Sequence, residues 1–423
     1  MARVLLACVL AAACACAREK PQGIVVTFPG SSVGAEADVL RAQLARFMRQ
    51  HPEIRVVQQR TPDSGDQRHQ LYVQWLNARA RDPDILQLDV VWTPEFAAAG
   101  WLLPLERFAP PVHEFFPATI AANRYRGRLY ALPWFVDVGM LYYRSDVVGA
   151  PPRSHAELVQ HAQRARRAGF DYGLVWQGAR YEGLVTVFLE YLTAFGGEVL
   201  DATGRAALDT PAARAALQAM RSAIDSGLVP RAALSWQEEQ TRFAFQNGRA
   251  PFMRNWPYAY PLLQQPDSRV RGRFAVSAMP AGSGGRPAAA LGGSQLAING
   301  RSDQPQAAYR VIAFLTAPAQ MLERARIAGQ FPPRHALYAR PELARALPID
   351  PVQVQAIIAS AVARPVTPVY AELSDILQVH LHRCLSGQES ASQALRAADR
   401  EIDALLSRVS LLPRRDHEGA RGG

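Results

Sequence analysis

Apolar positions along the chain follow two spacings that alternate. Continuous apolar runs of strand length occur at 23–28 (GIVVTF), 54–57 and 85–92 (ILQLDVVW). Between them, 36–50 carries Val39, Leu40, Leu44, Phe47 and Met48 at helical spacing, and 70–80 carries Leu71, Trp75 and Leu76. The boundaries are marked by Pro29-Gly30, His51-Pro52, Thr61-Pro62-Asp63-Ser64-Gly65 and Asp82-Pro83-Asp84. Strand, loop, helix and strand in repeated order predict α/β layers over a largely parallel sheet. Ligands of such sheets gather beyond the C-terminal strand ends, and Asp89 stands near one of them.

The later chain repeats the pattern, which predicts a second α/β lobe. Helices are expected at 155–168, 181–195, 211–226 and 236–247, strands at 172–176, 250–253 and 288–298, and further helices at 304–315, 318–327, 351–362, 373–385 and 391–409. A glycine-rich turn at 281–287 lacks the following Lys-Ser/Thr pair of a phosphate loop. Between the two halves lies LYALPWFVDVGMLYYR, residues 129–144, rich in β-branched and aromatic residues and broken by Pro133 and Gly139. It holds one carboxylate, Asp137, in apolar company. A buried unpaired carboxylate costs several kcal/mol, so Asp137 needs a partner, a solvent-filled cleft or a polar ligand, and the last is the reading adopted.

At 423 residues the chain is too long for one ordinary core, and two domains are expected. The formal charge of +10 is carried almost wholly by scattered arginines, Lys20 being the only lysine, and no long basic block argues for nucleic acid. The first residues read as an export leader: Arg3, a short apolar run at 4–13, then small residues around Cys14 and Cys16 before Arg18-Glu19-Lys20-Pro21. That run is about half the length of a spanning helix. LAAAC at 10–14 matches a lipoprotein cleavage box, with Cys14 as the acylated residue; Cys16, or plain cleavage near Ala17, are the alternatives. Only Cys384 lies outside this region, so no disulfide framework is expected.

Saccharides offer hydroxyl pairs that suit carboxylates and arginine, and C–H faces that suit flat aromatic rings. Glu36, Asp89, Asp137 and Arg364, with Trp176, Trp256, Tyr258 and Tyr370, supply both kinds of group near predicted loop ends. Paired carboxylates also permit glycoside hydrolysis, so an exported glycoside hydrolase is the alternative function. His380, His382 and Cys384 are two apart, and on a helix such residues point to different sides, which argues against a metal site.

DPDILQLDVVW, GWLLPL, LYALPWFVDVGMLYYR, VWQGARYEGLV, RNWPYAY, LGGSQLAI and ARPVTPVYAELSDIL together resemble the extracellular solute-binding proteins of ABC sugar importers, most closely the trehalose/maltose-binding branch. The resemblance implies a non-catalytic protein without cofactor, a monomer of two α/β lobes around a ligand cleft, exported to the periplasm or lipid-anchored at the cell envelope. It implies a di- or oligosaccharide ligand delivered to membrane permease subunits and, through them, a cytoplasmic ATPase. Its lobes would be discontinuous, 21–133 plus 294–346 and 134–293 plus 347–412, after a leader and tether at 1–20 and before a disordered tail at 413–423. Crossings are placed near 133–138, 292–294 and 343–351. Asp89 and Asp137 would grip sugar hydroxyls, Trp256 and Tyr258 stack on rings, and Arg364 and Tyr370 close the pocket; Glu36 matches less securely. Two departures bear on the ligand. Gly293 is followed by Ser294 where the family carries a stacking tryptophan, and Phe135 replaces a tyrosine, so a smaller or differently linked glycoside is open.

Overall fold

A computed structural model describes residues 23–30, 35–62, 64–347 and 349–411. The leader with Cys14 and Cys16, the loop 31–34 and the tail 413–423 lie outside the described residues. The helix Glu36–Gln50 forms where the spacing predicts it, burying Val39, Leu40, Leu44 and Phe47 on one face. It ends at His51, whose N–H is donated to the Phe47 carbonyl, because Pro52 cannot continue it. Helix His155–Arg167 is started by Ser154, whose hydroxyl accepts from the Glu157 N–H, and helix Pro211–Asp225 by Thr210 in the same way. Helix Glu182–Ala194 is buried on almost every side. It packs against the helices Pro211–Asp225 and Tyr370–Ser386.

The strands are β1 (Ile24–Gly30), β2 (Ile54–Arg60), β3 (Ile85–Asp89), the short pair β4 (Arg124–Tyr125) and β5 (Arg128–Leu129), then β6 (Ala131–Val138), β7 (Met140–Tyr143), β8 (Phe252–Asn255), β9 (Ala275–Ser277), β10 (Ala289–Ile298) and β11 (Ala361–Val362). The expectation of a largely parallel sheet is corrected. β1 and β2 are parallel, as are β10 and β11, but β3 and β6 both run antiparallel to β10, and β7 is antiparallel to β8 and β9. The strand-forming run at 85–92 stops at Asp89, because the chain turns there and Trp92 opens the short helix Thr93–Ala98. Residues 172–176 form no strand; Val175 makes one isolated bridge to Met253.

β6 and β7 are almost contiguous yet belong to different sheets, so the chain passes from one sheet to the other at Val138, Gly139 and Met140. β10 spans the same boundary from the other side, pairing with β11 at Ala289 and Ala290 and with β3 from Ser294 to Ile298. The segment 129–144 and the segment 289–298 therefore lie side by side where the two sheets meet.

Candidate ligand-binding cleft

Strand register assembles the cleft. Ser294 on β10 stands opposite Asp89 on β3 and Phe135 on β6, and Gly292 stands opposite Asp137. Directly opposed residues, and those two apart on a strand, share a face. One face thus presents Gln87, Asp89, Phe135, Asp137, Gly292 and Ser294 to a cavity of about 370 Å³, within the usual range for small-molecule sites. Gly293 is held at φ +122°, and a β-carbon there would lie 2.3 Å from the Phe135 carbonyl oxygen, so the close approach of β10 to β6 requires glycine.

The other wall comes from the N-terminal ends of helices Glu182–Ala194 and Glu238–Gln246 and from the segment after β8, which supplies Trp256 and Tyr258. Of the residues singled out from sequence, Glu36, Asp89, Phe135, Asp137, Trp256, Tyr258, Gly293, Ser294 and Arg364 all border this cavity. Trp176 does not. It is fully buried in the larger hydrophobic cluster, where an indole removes more apolar area from water than at a cleft rim. Tyr370 stands one layer back, its hydroxyl donating to Glu182 Oε1 at 2.6 Å.

Glu182 was missed because an acid at the start of an apolar helix is ordinary helix chemistry, although it lies within the VWQGARYEGLV stretch. It accepts from Arg364 Nη1 at 2.8 Å, from Tyr370 and from the Ser374 hydroxyl, and burial raises its pKa. Arg364 also donates to Asp89 Oδ1 at 2.5 Å, which ties β3 to the helix that carries Glu182. Burial alone would lower the Arg364 pKa, but Asp89, Tyr370 and Glu182 push it up, so it stays charged. A second contact in the same direction is the Glu182 N–H donated to Asp66 Oδ2 at 3.3 Å.

Asp137 is finished differently. Its Oδ1 is occluded and makes no hydrogen bond. Burial, with the Glu36 and Asp89 charges beside it, pushes its pKa up to about 8 against the pull of Arg324 and Arg254, so the carboxyl holds its proton at neutral pH. Arg324 lies beneath, fully buried, its guanidinium 3.9 Å from the Trp134 ring centroid with no hydrogen-bond acceptor at any of its nitrogens. Burial lowers its pKa to about 10, which leaves it cationic. Behind Trp256, Arg254 approaches the indole at 4.0 Å and is bound by Glu190. Phe135 has no hydroxyl to offer, and Ser294 is engaged by the Gln87 amide at 3.0 Å.

A family model described as bacterial extracellular solute-binding protein matches residues 32–322. A probable ABC transporter-binding protein of Deinococcus radiodurans is 34% identical over 409 residues, 93% of this chain and 96% of that one. The chain belongs to the bacterial extracellular solute-binding proteins. The maltose-bound MalE3 of T. maritima superimposes on this solute-binding protein with a TM-score of 0.87 at 41% identity, over 90% of this chain and 100% of that one. A Thermotoga lettingae solute-binding protein with bound α-D-tagatose gives 0.81 at 25% identity, over 90% and 100%. The fold is therefore the two-lobed one of periplasmic binding proteins. Among the described residues no group of three His, Cys, Asp or Glu side chains could hold a metal ion, and no helix is long and apolar enough to cross a membrane. His380 instead lies between Glu389 and Glu401, and His382 faces the Leu234 carbonyl.

Proposed function

We propose that this solute-binding protein captures a di- or oligosaccharide of the maltose or trehalose type in the cleft and delivers it to an ABC permease driven by a cytoplasmic ATPase. The observation that carries this reading is the single sheet face that aligns Asp89, Asp137 and Ser294 in a cavity that Trp256 and Tyr258 also border. Polar groups for hydroxyls and aromatic faces for C–H surfaces border the same cavity. Asp137, Trp256 and Tyr258 are the main ligand contacts, with Glu36, Asp89 and Arg364 completing the grip. A structure similar at 41% identity holds maltose, which supports the class of ligand.

The lobes 21–133 plus 294–346 and 134–293 plus 347–412 close on the sugar, because only the closed form lets groups from both touch it. The protein works outside the cytoplasm, tethered through an acylated Cys14. Hydrolysis fits the cleft less well, because Asp89 is engaged by Arg364 and Glu239 by Arg242, leaving those carboxylates committed to ion pairs. Thermal melting with maltose, trehalose, sucrose and related glucosides tests the proposal. A sugar-dependent rise in Tm is expected. No shift with any of them, or release of monosaccharide, removes it.

A further inference from the structure

Two residues on the helical wall of the cleft carry chemistry that the sequence reading did not assign. Tyr181 precedes helix Glu182–Ala194 and folds its ring back over Gly183. A β-carbon at Gly183 would lie 2.1 Å from the Tyr181 hydroxyl oxygen, so the missing side chain at 183 is what lets the ring occupy this position. Tyr181 is 7% exposed and borders the cavity, yet its hydroxyl makes no hydrogen bond. A buried hydroxyl without a partner costs about 1–3 kcal/mol, which a fold has no reason to retain unless something else satisfies it.

Glu238 opens helix Glu238–Gln246 on the same wall. Its neighbours there are committed. Gln237 and Gln240 bind each other's backbone in a capping box, and Glu239 is held by Arg242 at 2.6 Å and by the Tyr258 hydroxyl at 2.8 Å. Glu238 receives a long contact from the Trp256 indole N–H, 3.4 Å, and stands close to the Tyr181 hydroxyl without hydrogen-bond geometry between them. Burial and the nearby Glu238 charge keep the Tyr181 hydroxyl protonated, so it retains a proton to donate.

We propose that Tyr181 and Glu238 are ligand-binding residues, a hydrogen-bond donor and an acceptor that together read neighbouring hydroxyls of the sugar ring lying against Trp256. This rests on the cleft being a sugar site. It adds a recognition element on the helical wall that faces the sheet carrying Asp89 and Asp137. The Trp256 indole N–H points at Glu238, and Tyr181 borders the same cavity, so a ring seated on the indole would have both groups within its reach.

The test compares the wild-type protein with Tyr181→Phe and Glu238→Gln by calorimetric titration with maltose and trehalose, and by melting without sugar. Tyr181→Phe keeps the ring over Gly183, so its ligand-free Tm should be unchanged or higher, while affinity falls ~3- to 10-fold. Glu238→Gln should weaken binding by ~10-fold or more, the scale of a hydrogen bond to a charged group. Wild-type binding with both variants equally tight overturns this inference and leaves the sugar reading standing. So does a Tyr181→Phe variant that loses Tm and keeps its affinity, since the hydroxyl would then be structural. A wild type that binds neither sugar overturns both.

Discussion

Arg254 and Asp137 are close enough to act on each other electrostatically, yet their hydrogen-bonding is finished in opposite ways. The Arg254 guanidinium and the Glu190 carboxylate are both fully buried and fully engaged. Arg254 Nε lies 2.9 Å from Glu190 Oε2, its Nη1 reaches the Gln177 side chain at 3.1 Å, and the Ala290 N–H donates to Glu190 at 3.0 Å. Nothing is left over for a ligand. Asp137 borders the cavity with an unbonded oxygen, and the Tyr181 hydroxyl across from it is unbonded too. The difference separates this ion pair from the two cleft groups: Arg254 and Glu190 are saturated, whereas Asp137 and Tyr181 keep spare capacity beside the cavity at an energetic cost.

Breaking the saturated side should have the largest effect. Glu190→Gln leaves the buried Arg254 charge without its counter-charge, and a loss of about 3–5 kcal/mol in stability is expected from denaturant unfolding. A loss of under about 1 kcal/mol would mean that the pair is not the anchor described here. On the unsaturated side, Asp137→Asn should weaken sugar binding by about 0.5–1.5 kcal/mol, the scale for a neutral carboxyl, while the ligand-free protein melts no lower. A fall in Tm without loss of affinity would place Asp137 among the structural groups.

The third prediction concerns pH. Asp137 titrates at about 8 in the folded protein and near the ordinary carboxylate range when unfolded, and Asp66, Glu182 and Glu238 are raised in the same direction, burial being the first cause for each. A raised acid binds its proton more tightly in the folded state, so its contribution is full below the unfolded pKa and is lost as pH rises through the folded one. The ligand-free Tm should therefore fall between about pH 4 and pH 8, with a shallower slope in Asp137→Asn. An identical slope in both proteins would exclude Asp137 as a source. An effect no larger than that of Asp137→Asn is expected at Tyr258→Phe, which removes the hydrogen bond to Glu239 and should cost about 0.5–1.5 kcal/mol of stability.

The fold was legible where the apolar spacing was long and unbroken. Helix Glu36–Gln50 appears at the predicted bounds, and the α/β character follows from alternation alone. Sheet direction was not legible, because β10 reaches β3 and β6 across some 150 to 200 residues of chain, and no local spacing records which way such strands meet. In the cleft, Asp137 was visible as a lone acid in an apolar run, and Trp256 and Tyr258 as aromatics around a proline. Trp176 looked equivalent on composition but faces the core. Glu182, Glu238 and Tyr181 were not found, because acids at helix starts are ordinary helix chemistry and only packing distinguishes one that borders a cavity. The YEG sequence at 181–183 was the available signal, an aromatic two residues before a glycine inside a helix, where glycine is otherwise unfavourable.

The most direct test is calorimetric titration of the wild-type protein at neutral pH with maltose and with trehalose. Saturable heat from a single site with at least one of them, reduced in Asp137→Asn, is the expected result. No heat with either sugar, or equal affinity in wild type and Asp137→Asn, would contradict a sugar cleft built on the unsaturated groups.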